Sequence, residues 1–152
     1  MAVGTVPALT SLHGRKLGIG PLGNIVASGT PITQPAADCS ITVGAQVATA
    51  RAITINVKRA DGVAINYIET LEITVFLDAA GAAYVVTGGS TGIAIDAAGA
   101  LLTVVSKKHF RARTTAAGVL TLTWTDTGTE AAFLGVRLPS GRMLISTALT
   151  NA

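Results

Sequence analysis

Val119-Leu120-Thr121-Leu122-Thr123-Trp124-Thr125 alternates large apolar residues with threonines. In a strand, that pattern places the apolar set on one face and the hydroxyls on the other. Asp126-Thr127-Gly128-Thr129 follows with turn chemistry, and the run over 131–138 turns Ala132, Leu134, Val136 and Leu138 to one side. Phe133, Gly135 and Arg137 take the other side. Pro139-Ser140-Gly141 then turns the chain into a last apolar run over 143–147. The spacing predicts a three-stranded antiparallel meander. No catalytic motif lies in it, so the function is to be sought in surfaces.

Working outward, the same period of two recurs upstream. Ile53, Ile55 and Val57 alternate with Thr54, Asn56 and Lys58, and Asp61-Gly62 gives a strong hairpin signal. Leu71, Ile73, Val75 and Leu77 alternate with Glu72, Thr74, Phe76 and Asp78. Phe76 therefore sits opposite the apolar set, as an exposed anchor or as part of a face that something else covers. Short strands are expected at 83–87 and 93–95. Gly62, Gly81, Gly99 and Gly118 punctuate the chain at nearly even spacing, which suits strands of similar length. The stretch 65–71 alone resembles a helical turn, and its β-branched residues argue against one. With about eight strands and no sustained helix, the fold class is all-β, an antiparallel β-sandwich of immunoglobulin-like or jelly-roll topology.

The 152 residues suffice for one core without metal or disulfide support. Charged residues make up 12%, against about 25% in an ordinary domain, while hydrophobic residues reach 49% and aromatics 4%. So few charges favour a protein that works inside an assembly, and a symmetric trimer or dimer is expected. The net charge of +3 is modest for a nucleic-acid binder, and direct nucleic-acid binding is not expected. Cys39, the single cysteine, has no internal disulfide partner. Met1-Ala2-Val3-Gly4 lacks the look of a signal peptide, and no apolar run approaches the roughly 18 residues of a membrane span. Synthesis as a soluble protein in the cytoplasm, with no membrane role, is the expectation.

Candidate chemical sites are few. Gly18-Ile19-Gly20-Pro21-Leu22-Gly23 spells a dinucleotide fingerprint, but that site needs a helix whose N-terminus receives the pyrophosphate, and Pro21 disfavours it. His13, His109 and Cys39 lack further ligands at metal-binding spacing, and the serines lack a nucleophile elbow. Neither a cofactor nor enzymatic activity is expected. Lys107-Lys108-His109-Phe110-Arg111-Ala112-Arg113 is the one charge cluster. As a strand it projects Lys107, His109, Arg111 and Arg113 from one face, a stripe roughly 20 Å long. That stripe fits an acidic partner, phosphates, or a solvated face that discourages edge pairing. The solvated face is preferred, since phosphate binding recruits more positive charge.

Residues 1–40 differ from the rest. Glycines and Pro7, Pro21, Pro31 and Pro35 exclude a helix or a long strand. Yet Leu9, Leu12, Leu17, Ile19 and Leu22 are too apolar for a free tail. The organisation is therefore an extended N-terminal arm over 1–40 and a β-sandwich domain over 41–152.

Ser11-Leu12-His13-Gly14-Arg15-Lys16-Leu17-Gly18 and Leu138-Pro139-Ser140-Gly141-Arg142-Met143-Leu144-Ile145-Ser146 resemble small virion proteins of tailed bacteriophages, similar to those that decorate or cement the capsid. The resemblance implies a β-domain on the capsid exterior of the virion, its arm pinned against the major capsid protein through Leu9, Leu12, His13, Arg15, Leu17, Ile19 and Leu22. A tail or fibre module that recognises a host receptor or carbohydrate is the alternative. Carbohydrate recognition calls for exposed aromatics, of which this chain has few to spare.

Overall fold

The computed structural model describes residues 35–151 throughout and, before them, the backbone of four short strands. The chain divides into two units, Met1–Gln34 and Pro35–Ala152.

In the first unit, β1 (Leu9–Leu12), β2 (Arg15–Ile19), β3 (Ile25–Ala27) and β4 (Thr30–Pro31) pair antiparallel in sequence order. Their brevity follows from the glycines and prolines between them. Leu9 pairs with Leu17, and Leu17 with Ala27.

The second unit is a β-sandwich. One sheet has the order β5-β6-β11-β8, formed by β5 (Asp38–Val47), β6 (Ala50–Lys58), β11 (Val119–Thr125) and β8 (Gly92–Ile95). The other has the order β13-β12-β7-β10-β9, formed by β13 (Met143–Ala148), β12 (Phe133–Arg137), β7 (Thr70–Phe76), β10 (His109–Arg113) and β9 (Ala100–Val105). Every pairing is antiparallel. By position, β5-β6-β11 match strands A, B and E of an immunoglobulin variable domain, and β13-β12-β7-β10-β9 match G, F, C, C′ and C″. The chain departs from that order by visiting β9 before β10 and by laying down β8 ahead of both. The described residues contain no helix.

Alternation in the sequence becomes a two-sided core. Ile53, Ile55 and Val57 of β6 and Leu120, Leu122 and Trp124 of β11 are fully buried from one sheet. Leu71, Ile73 and Val75 of β7, Leu134 and Val136 of β12, and Phe110 of β10 meet them in one cluster from the other. Trp124, the largest side chain, is 0% exposed, as its place on the apolar face predicts. Threonines 121, 123 and 125 lie half-buried on the opposite face. Gly89 sits so close to Trp124 that a Cβ there would meet the indole ring at 2.8 Å, so only glycine lets the loop pass over the ring.

Three expectations change. The meander over 119–147 is not one: β11 belongs to one sheet, while β12 and β13 form a hairpin in the other. Alternation names a strand's buried face, but inward faces of two opposed sheets look alike in sequence. The stretch 83–87 forms a single bridge, Phe76↔Tyr84, in place of a strand. Asp61-Gly62 does reverse the chain, with Arg59 N–H donating to Val63 O at 2.8 Å, but pairing ends after the Lys58↔Ala64 bridge as the chain crosses sheets.

Candidate interaction surface

The loop between β7 and β8 is fixed by its own Asp78 and by side chains far away in sequence. Asp78 accepts hydrogen bonds from the N–H groups of Ala80, Ala82 and Ala83, closing the turn. Tyr84 then stacks on Phe76 with ring centroids 5.9 Å apart. Phe76 is thereby buried from the outer face, and Gly135 lies beneath it, where a Cβ would come within 2.4 Å of the ring. Further on, the Glu130 carboxylate accepts the N–H groups of Val86, Thr87 and Gly88 and the Thr87 hydroxyl. Burial opposes ionisation of Glu130, but these hydrogen bonds outweigh it and bring its pKa down to about 2. Lys107 Nζ donates to Gly89 O at 3.0 Å and Ser90 O at 2.8 Å, and Asp126 Oδ1 accepts from Ser90 N at 3.0 Å. Glu130, Asp126 and Lys107 thus clamp the loop that carries exposed Tyr84 and Val86.

This clamp breaks up the predicted basic stripe. Lys107 lies in the turn before β10 with φ +61°, and its ammonium is committed to the loop carbonyls, not to the strand face. His109, Arg111 and Arg113 do share the outer face of β10. The His109 ring is half-buried and hydrogen-bonded to Thr74 Oγ1 at 3.0 Å. Arg111 pairs across the sheet with Glu72, which in turn pairs with Arg137. The Arg111–Glu72 ion pair is long, at 4.0 Å, and open to water, so it is worth little. A shallow groove of about 470 Å³ lies along this row, lined by Glu69, Thr70, Glu72, Arg111, Arg137 and Leu138. Its charges are mixed.

A run of exposed apolar residues lies elsewhere, on β9. Leu102, Val104 and Val105 are 65%, 53% and 51% exposed, and Leu101 is the strand's only half-buried residue. A recess of about 300 Å³ joins Val105 to Tyr84, Lys108 and His109. The strand went unread in the sequence, although Leu101-Leu102-Thr103-Val104-Val105 between Gly99 and Lys107-Lys108 carries the β-branched signal of one. Its exposure had no such signal, because an apolar run looks the same buried or bare.

Of the arm residues singled out, Leu9 and Leu12 lie on β1, and Arg15, Leu17 and Ile19 on β2. His13 and Leu22 lie outside the described residues. The fingerprint at 18–23 is followed by strand β3, where a nucleotide site needs a helix. Cys39 is buried, and burial, reinforced by Asp38, pushes its thiol up to about 11, so it is no ready nucleophile. Among the described residues no group of three or more His, Cys, Asp or Glu side chains could hold a metal ion, and no helix is long and apolar enough to cross a membrane.

The fold and the surface define a class no finer than an antiparallel β-sandwich. Compared with known proteins, the chain matches no family model, no curated protein and no solved structure.

Proposed function

We propose that this protein is a non-enzymatic structural component of a phage head, a decoration or cement protein that binds the shell of major capsid protein from outside and stabilises it. The observation that carries an assembly role is the exposed apolar surface of β9 together with Tyr84 and Val86 in a chain with 12% charge. Such a surface is poorly suited to a free monomer in water. The head, in particular, is favoured by the resemblance of residues 11–18 and 138–146 to virion proteins. In this reading the arm, through Leu9, Leu12, His13, Arg15, Leu17, Ile19 and Leu22, engages capsid subunits while the sandwich stands above the shell.

A tail or fibre role is supported by one observation. Tyr84 is 61% exposed beside the recess at Val105 and His109, an aromatic platform of the kind that stacks on sugars. Immunogold labelling of particles from the producing lysate separates the two readings. Label spread over the head is expected; label confined to the tail favours the second reading, and unlabelled particles overturn both.

A further inference from the structure

We infer that β9 is a self-pairing edge, through which two copies of this chain join their five-stranded sheets antiparallel across a two-fold axis. Four observations carry it.

First, β10 is the only strand paired with β9 among the described residues, which leaves a row of backbone donors and acceptors facing outward. Second, Ala100–Val105 contains no proline and no charge, and its one irregularity is confined to its end, at Val104, which leaves Ala100 to Thr103 as a regular, unprotected edge. Leu102, Val104 and Val105 are bare. Third, the opposite side of the sandwich is already closed. There β13 lies against β5, Arg142 bridges Asp38 at 3.4 Å, and Arg51 donates to Thr150 O at 2.9 Å. On this side of the sandwich β9 offers a bare edge of 6 residues against 4 in β8, so pairing with its own copy gains the most, and such an isologous contact closes as a dimer. Fourth, the ends of the strand are complementary in charge. Exposed Asp96 precedes it, and Lys108 follows it. Antiparallel pairing of two copies runs the acidic end of each toward the basic end of the other.

The register follows from the pleat. Directly opposed residues of an antiparallel pair share a face, so the two-fold axis passes through a residue and not between two. Centring on Leu102 sets Leu102 against its own copy on the outer face and Leu101 against Thr103; the regular register ends there, because the pairing of β9 with β10 skips Val104. The row Arg137, Glu72, Arg111, Leu102 then continues into the second molecule.

An edge contact of this size is small, so association is weak and a concentration series to about 1 mM is appropriate. Sedimentation equilibrium of the full chain is expected to approach twice the 15.3 kDa of one copy. The double variant Leu102→Lys/Val104→Lys, at exposed positions that leave the core untouched, is expected to stay monomeric at every concentration. Leu102→Cys is expected to form a disulfide-linked dimer on mild oxidation, since opposed Cα atoms about 4.5–5.5 Å apart fall within disulfide range. Val47→Cys, 75% exposed on the far edge strand β5, is the control. A wild-type chain that remains monomeric, a trimer, a dimer that survives the double lysine variant, or crosslinking at Leu102 no faster than at Val47 each overturns the inference. The inference concerns the free protein and does not rest on the capsid reading, whose own test is where the gold label falls.

Discussion

At the residue scale, two side chains answer to different physics. Trp124 acts through volume: it fills the space between the sheets with Leu120 and Leu122, all three fully buried. Trp124→Ala should destabilise the sandwich by about 3–5 kcal/mol, read from denaturant midpoints, and the native protein should show blue-shifted, weakly quenched fluorescence. Gly135 acts through the absence of volume. A methyl at its position meets Phe76 at 2.4 Å, so Gly135→Ala should lower the melting temperature by forcing the Phe76–Tyr84 stack apart. The alternation around Trp124 foretells its burial. Nothing in the sequence pairs Gly135 with Phe76, because that contact arises only from the register of β12 on β7.

At the scale of the element, the β7–β8 loop is held by charge. Glu130 has its pKa depressed to about 2 from an ordinary carboxylate value near 4.3. A depressed carboxylate contributes stability that is complete above its unfolded pKa and is lost as pH falls through its folded pKa. The clamp should therefore weaken progressively from about pH 4 to pH 2 and be insensitive to pH above that window. Hydrogen exchange at the Val86, Thr87 and Gly88 amides is the measurement. Glu130→Gln should raise their exchange at neutral pH and flatten the acid dependence. If the acid dependence of those amides is unchanged in Glu130→Gln, another group controls the loop. Glu130 attracted no notice in the sequence, since 43 residues separate it from Thr87 and nothing local distinguishes it from a surface glutamate.

For the whole molecule, the division at Gln34 and Pro35 predicts that residues 35–152 fold without the first unit. Deleting 1–34 should leave the far-ultraviolet signature and melting temperature of the sandwich nearly unchanged. Under the proposed function, it should abolish attachment to heads. The outer face of the five-stranded sheet makes a separate forecast. Arg111, Arg113 and Arg137 are interspersed with Glu69 and Glu72, and Lys107 is bound to its own loop, so the free protein should retain little DNA at physiological salt. Tight binding that falls with salt by about 0.9 log units per phosphate contact would contradict a place outside the shell.

By itself, the sequence determined the class of fold and a buried face of β6, β7, β10, β11 and β12, because a period of two maps each residue to one face without reference to any neighbour. It also determined where the chain reverses, at Asp61-Gly62, Asp78 to Gly81 and Asp96 to Gly99. Sheet membership was decided only in three dimensions. The Asp126-Thr127-Gly128-Thr129 segment carries turn chemistry whether the chain folds back in one sheet or crosses to the other, and it crosses. Tertiary structure likewise took Lys107 out of the basic stripe, since the carbonyls of Gly89 and Ser90 reach it from another loop. It also left Leu102, Val104 and Val105 bare, because exposure belongs to the strand's place at the edge of its sheet and not to the residues that compose it.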